Sequence, residues 1–412
     1  MLQDRSYRVR VEGLDWNALF SFINITRAFR TAIHPAKMLL AMLMVIITYL
    51  SGLGLDEIFT QSIFQNTIQA ELFAFRDLIL SAVSLDFGYH NFMADVPTQS
   101  SGVIGALFQM VVGIPMSLAI NHTAYFAIFT FWIFILNLFF GGSISRLAAL
   151  QATRNLRPSF ITGLQYVYHN FFSFLGSVLL PLILITLFSV ILALVGLLFN
   201  LPVLNFIAAL TFGLLIFLGI IISLLLIGFA GAANLMFPSV ATDNTDAFDT
   251  ISRTYNYVMR QPWRFVAYNA FALFYGAITY LFLALVIFLA LWVTITFTGF
   301  FVPSFHELLP DPKLGELPFY TSQSSLGQTT IANVVTVWVK LLIALLPAFA
   351  FSYYYTAQTF IYLLLRKHSD GTELEHVHLT PGDDPLENSM DDPTLADKLI
   401  KDKTPDPSSE TE

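Results

Sequence analysis

Six stretches of the chain are apolar almost throughout and long enough to cross about 30 Å of hydrocarbon as helices. They are residues 38–55, 123–140, 175–198, 203–230, 269–297 and 334–363. A seventh stretch, 103–120, is also hydrophobic but carries Gln109, Gly113 and Pro115. Only Asn121 and His122 separate it from the next run. Between the first two runs lies a long insertion, 56–122, with a helical hydrophobic period that predicts two helices. Residues 199–202 form a tight turn, and 298–333 contain Pro303, Pro310, Pro312 and Pro318, which predicts a loop without long helices.

The distribution of Lys and Arg decides how many runs cross. With six crossings and a cytoplasmic N-terminus, 17 basic residues fall inside and two, Arg76 and Lys313, outside; Lys340 lies within a span. Seven crossings invert the second half and leave 7 inside against 12 outside. The positive-inside rule favours six. Residues 103–120 are then an interfacial or half-inserted helix on the outer face.

The linkers on the inner side have their own pattern. In 247–260 the apolar residues Phe248, Ile251, Tyr255 and Val258 recur at helical spacing. Asp249, Arg253, Asn256 and Arg260 fall on another face. Asp246 or Thr245 caps the start and Pro262 limits the end. This predicts an amphipathic helix on the inner leaflet, with a less regular counterpart at 16–33. Ile25-Thr-Arg-Ala-Phe and Ile251-Ser-Arg-Thr-Tyr agree in type at each step, and Ile144-Ser-Arg146 opens the middle linker similarly. The chain can be read as three units, each an amphipathic helix followed by an out-and-back hairpin. Tyr7, Val9 and Val11 alternate with charged residues as in a short strand.

Composition agrees with this pattern and narrows the chemistry. Of 412 residues, 56% are hydrophobic and 12% charged, about half the charge of a soluble domain. The net charge of −8 belongs to residues 366–412, which hold 5 Lys/Arg and 13 Asp/Glu; the rest is neutral overall. From Pro381 onward the Asp-, Pro-, Ser- and Glu-rich sequence predicts disorder. There is no cysteine, so thiolate and disulfide chemistry are excluded. The first apolar run follows a polar segment too long for a signal n-region and is expected to remain as an anchor.

Four stretches carry a family resemblance: Arg8-Val-Arg-Val with 29–37, Gly141-Gly-Ser-Ile-Ser-Arg-Leu-Ala-Ala-Leu150, residues 246–257 with Pro262, and Asp370-Gly-Thr-Glu373. Together they resemble a group of polytopic inner-membrane proteins common in planctomycete-type bacteria. The resemblance covers about residues 6–379, and 246–257 is its most specific part. It implies six spans and a bacterial inner membrane. It implies no activity and no catalytic residue.

Four residues stand out as candidates. Lys340 is the one charge inside a predicted span, where an ionisable group marks function by default. Snorkelling to the nearby outer interface is the plainer account. Asp243, Asp246 and Asp249 form a small acidic cluster, from which Asp246, Asp249 and the neighbouring Arg253 are the candidates; as a calcium loop it lacks the ligand spacing and the glycine turn, and helix capping plus an Asp249–Arg253 i,i+4 pair explains it. His376 and His378 make a weak two-ligand pair. Aromatic girdles and packing account for Tyr353, Tyr354 and Tyr355, and Pro181 and Pro347 read as kinks.

These readings converge on an all-α integral membrane protein: a six-span transmembrane helix bundle with amphipathic cytoplasmic helices and a helical outer insertion. Its parts are a cytoplasmic N-terminal segment (1–37), the membrane domain (38–365) and an acidic cytoplasmic tail (366–412). No cofactor, metal or nucleic-acid partner is expected. The expected partners are the lipid bilayer and membrane proteins, a second copy included. The expected role is non-enzymatic organisation of an envelope complex or lipid environment, with a carrier or channel for a lipid-like solute as the alternative.

Overall fold

The computed structural model describes residues 21–88, 102–156, 158–200, 204–300, 326–372 and 376–379. Every regular element among them is helical. The strand pattern near Tyr7 and the acidic tail from residue 380 lie outside the described residues.

A short 3-10 turn leads into α1 (Arg27–Ala32), followed by α2 (Pro35–Phe59). The insertion supplies α3 (Ile63–Val83) and α4 (Gly102–Asn121), the two helices predicted there. Then come α5 (Thr123–Arg154), α6 (Phe160–His169), α7 (Phe171–Leu197), α8 (Phe212–Asp243), α9 (Ala247–Arg260) and α10 (Pro262–Gly299). The chain closes with α11 (Leu326–Ile343) and α12 (Leu345–Asp370).

Among the described residues, seven helical stretches are long and apolar enough to cross a membrane, one more than the six predicted, and α4 is the addition. Several helices outrun their apolar runs. The run at 123–140 continues as helix to Arg154, and the run at 203–230 breaks at Thr211 and then continues to Asp243. The 32 residues of α8 measure about 48 Å at 1.5 Å per residue, well beyond the hydrocarbon thickness. The last run is two helices. Pro347 lies in the first turn of α12 and has no N–H for the carbonyl of Ile343, which is where the ladder breaks. Helix α11 also begins inside the predicted loop 298–333.

The described residues form two compact units. The first comprises Met1–Leu40, Gly141–Thr279 and Ala350–Glu412. At its centre is the second half of α5, where every residue from Gly142 to Leu150 is buried. Gly142, Ser143, Ser145, Ala148 and Ala149 keep this helix narrow. A Cβ added at Gly142 would lie 2.9 Å from Val167 and 3.0 Å from Phe174. The end of α8, Leu235 to Thr242, and residues 355–366 of α12 are buried as well. Tyr355 stacks on Phe237 with ring centroids 6.2 Å apart. Packing accounts for two of the three tyrosines of this stretch: Tyr353 and Tyr355 are buried, and Tyr353 donates to the carbonyl of Ala272 at 2.8 Å, whereas Tyr354 is exposed.

Helix α8 ends at Asn244, whose left-handed backbone (φ 53°) turns the chain back on itself. Helix α9 then runs along α8. Gly231 and Gly228 admit Val258 and Tyr255; added Cβ atoms there would come within 2.8 Å and 2.4 Å of those side chains. The predicted bounds of α9 are the observed ones, but the buried face differs. It is Thr250, Thr254, Tyr257 and Val258, whereas Phe248 is 73% exposed. The inward threonines are satisfied locally: Thr245 and Thr250 share a 2.7 Å hydroxyl bond, and Thr254 donates to the carbonyl of Thr250.

The proposed sequence repeat holds in part. Helices α1, α6 and α9 each precede a long apolar helix across a short joint. Ile144-Ser-Arg146, however, lies inside α5, so it is not the structural counterpart of the Ile25 and Ile251 segments.

The second unit comprises Ala41–Phe140 and Tyr280–Phe349. Asp56 turns the chain from α2 into α3: its carboxylate accepts from the backbone N–H groups of Phe64 (2.8 Å) and Gln65 (3.4 Å). These are orphan donors of the first helical turn, which a negative charge satisfies well. Ile63, Phe64 and Tyr125 form the local core, with edge-to-face contacts Phe59–Tyr125 and Phe64–Phe129 at 5.5 Å. Helix α4 packs antiparallel along α3, its start tied to the end of α3 by the bond from Val103 N to the Asp86 carbonyl.

Candidate functional site

The densest polar chemistry lies in the first unit, where α8 ends, α9 begins and α12 finishes. Asp243, the last residue of α8, is its hub. Its carboxylate accepts from the Tyr362 hydroxyl at 2.6 Å and from Arg366, and Arg253 approaches at 3.5 Å. Arg366 is almost wholly buried and spends a second nitrogen on the carbonyl of His376 at 2.5 Å.

On α9 the Asp246 side chain caps the helix by accepting from Asp249 N at 2.8 Å. Asp249 then pairs with Arg253 at 2.9 Å, the i,i+4 partner that the sequence gives it. That hydrogen bond, ahead of the charges around it, raises the Arg253 pKa, so Arg253 keeps its charge. Tyr257 donates to Asp370. Burial first, and then the Asp370 bond, raise the Tyr257 pKa, which keeps its hydroxyl protonated as a donor.

Beside this cluster a second buried cation closes the same helix end. Arg146 has no exposed surface. It donates to the carbonyls of Ala241 (2.6 Å) and His378 (2.8 Å) and lies 4.0 Å over the Tyr166 ring. The Tyr166 hydroxyl in turn donates to the Val240 carbonyl at 2.7 Å. Arg146 and Tyr166 thus satisfy final carbonyls of α8 where its dipole is negative. The segment from His376 is pinned here too: His378 N donates to the Thr242 carbonyl at 2.9 Å, and Val377 is buried against Ala149 and Leu150. His376 and His378 point outward on either side of it.

The sequence singled out Asp246, Asp249, Arg253 and Lys340. The structure brings Asp249 and Arg253 into the cluster around Asp243 and gives Asp246 the cap alone. Lys340 belongs to the second unit and has no part in the cluster. Asp243 entered the sequence reading only as the first residue of the acidic cluster, and missing from the candidates were Arg366, Tyr362, Tyr257 and Arg146, whose partners are remote in the chain. So was Lys37, which is buried with its Nζ 2.6 Å from Gln151 Oε1. One signal was available: Arg146 sits in a run of Gly, Ser and Ala, where a long cation has room to lie against helix backbones.

The chemistry of this arrangement is that of a lock. Each of Asp243, Asp249 and Asp370 already accepts from an arginine or tyrosine, so none is poised as a free base. Among the described residues no three His, Asp or Glu side chains come together as metal ligands do. No described family, no curated protein and no solved structure matches this chain.

Proposed function

We propose that this multi-pass membrane protein organises an envelope complex or its lipid surroundings without catalysis. The observation that carries the reading is how little apolar surface the chain covers by itself. Of the most apolar stretch of α7 only 6% is buried, and of those of α8 and α10 only 11%. Helices apolar all round need lipid or neighbouring protein. The polar end of the first unit, by contrast, buries Arg146 and Arg366 and joins α5, α8, α9 and α12. A rigid polar anchor with broad apolar flanks suits a scaffold.

In this reading the chain crosses a bacterial inner membrane six times, with both termini cytoplasmic. Helix α4 does not cross. Its antiparallel partner α3 carries Gln65, Asn66, Gln69, Glu71, Arg76 and Asp77. A crossing α4 would draw these into hydrocarbon, at several kcal/mol for each unsatisfied polar group. The distribution of basic residues supports the same topology. The proposal includes membership of the planctomycete-type group, supported by the four resembling stretches, of which 246–257 covers most of α9.

The test is photo-cross-linking from Leu187 in α7 and Leu273 in α10, both exposed, in native membranes. The expected result is discrete protein adducts, a second copy among them. Lipid adducts alone, together with passage of a labelled lipid across vesicles holding the purified chain, would replace the scaffold by a carrier.

A further inference from the structure

The second unit holds a groove that the scaffold reading does not use. It lies between the start of α3 and the second half of α4, with a volume of about 590 Å³, within the range of small-ligand sites. Five hydrogen-bonding side chains face it: Gln61, Asn66, Gln109, Asn121 and His122. Ile63, Ile114 and Leu118 supply the apolar part of the wall. Ser62, Thr67 and Ser117 also line it, and the hydroxyls of Thr67 and Ser117 bond to backbone carbonyls of their own helices. The five longer side chains make no hydrogen bond among the described residues.

We propose that this groove binds the neutral, polyhydroxylated headgroup of a membrane amphiphile, a sugar carried on a lipid. Three features point there. First, no Asp, Glu, Lys or Arg lines the groove, so a phosphate or carboxylate finds no cation and an ammonium finds no anion. Second, side-chain amides and an imidazole each offer both a donor and an acceptor, which matches vicinal hydroxyls. Third, α4 also carries exposed Met116 and Ile120, which do not line the groove; apolar surface on the same helix suits a lipid interface, where such an amphiphile resides. A π-helical turn at Gln109–Gly113 precedes Pro115, which has no N–H for the Val111 carbonyl; the widened turn sets Gln109 at the groove. The lining contains no aromatic ring other than His122, so the free sugar binds weakly and the acyl chains supply most of the affinity.

The experiment uses the full chain in detergent with monoglucosyl diacylglycerol, phosphatidylglycerol or maltose, and reads retained ligand by native mass spectrometry. The glucolipid is expected to be retained over phosphatidylglycerol, and excess maltose to displace part of it. Asn66→Leu with Gln109→Leu should weaken retention about tenfold, as the loss of two hydrogen bonds does. Gln69→Leu, on α3 outside the groove, should not. Single Asn66→Ala and Gln109→Ala variants carry the test if the double variant loses its melting transition. Equal retention of both lipids, preference for phosphatidylglycerol, or retention that ignores the Asn66 and Gln109 changes would overturn the proposal.

Discussion

Asp243 and Arg366, 123 residues apart in the chain, form a buried ion pair that joins the end of α8 to the end of α12. A carboxylate in the last turn of a helix faces the negative end of its dipole. Asp243 is stable there because Arg366, Tyr362 and Arg253 surround it. The Arg366 side chain is 2% exposed and that of Asp243 10%, so the pair is shielded from solvent.

Asp243→Asn should therefore be among the most damaging single changes in the protein. Removing one partner of a buried pair costs about 3–5 kcal/mol because the other charge is left behind. Asp243→Asn combined with Arg366→Met should cost less than the sum of the two single changes. Arg253→Gln, at a half-exposed pair, should cost only about 0.2–1 kcal/mol. Melting temperatures of the four variants in one detergent check the order. Arg253→Gln as the worst of them would show that the hub is misassigned.

The pinned segment 376–379 gives a sharper expectation for truncation than the acidic tail alone. Deletion from Pro381 should leave the melting temperature unchanged, because the packing of Val377 on Ala149 and Leu150 and the His378 bonds to Thr242 and Arg146 remain. Deletion from Gly371 should lower it. That cut uncovers Ala149 and Leu150 and removes the His378 carbonyl from Arg146 and the His376 carbonyl from Arg366. Equal behaviour of the two truncations would show that the segment does not hold the fold.

Helix α9 presents three stripes. One is buried at Thr250, Thr254 and Tyr257, one is apolar and outward at Phe248 and Met259, and one is charged at Asp249, Arg253 and Arg260. The outward apolar stripe fits a lipid surface. The chain has no cysteine, so single cysteines can be spin-labelled without background. A label at Phe248 should collide with oxygen and one at Asn256 with a water-soluble relaxant. Water accessibility at both positions would remove the membrane-surface role of this helix.

Tyr257 sets the alkaline limit of the lock. Its raised pKa means that the folded state holds the proton more tightly than the unfolded chain does. The contribution is whole below about pH 10, the ordinary tyrosine value, and is lost as the pH climbs through the folded-state value. The melting-temperature gap between the parent and Tyr257→Phe should be constant from about pH 6 to about pH 9 and close above about pH 10. A gap that closes on acidification would mean that another group controls the contact.

Much of this was legible in the sequence, and the limits are physical. The bounds of α9 and its Asp249–Arg253 pair depend on residues within four positions of each other, and period and capping rules reach that far. That Phe248 faces outward while Val258 of the same apolar set packs inward was not legible, because amphipathic spacing shows which residues share a face, not which face meets protein and which meets lipid. In a membrane protein both can be apolar. The pairing of Asp243 with Arg366 and Tyr362, and the burial of Arg146 and Lys37, escaped because the partners are a hundred or so residues away or are backbone carbonyls, which leave no mark in the sequence. Helix ends were underestimated at α5 and α8 for a related reason. Hydropathy marks where lipid ends, while Ser145, Arg146, Ser239 and Asp243 continue their helices by packing against one another's elements.

The central claim is a six-crossing chain whose polar lock lies on the side of both termini, and a set of reporter fusions tests it most directly. Fusions after Ile120, Phe300 and Glu412 are read for periplasmic or cytoplasmic activity. The account predicts periplasmic reporters at Ile120 and Phe300 and a cytoplasmic one at Glu412. A cytoplasmic reporter at Ile120 and Phe300 with a periplasmic one at Glu412 would mean that α4 crosses, and would place the Asp243–Arg366 lock on the opposite face of the membrane.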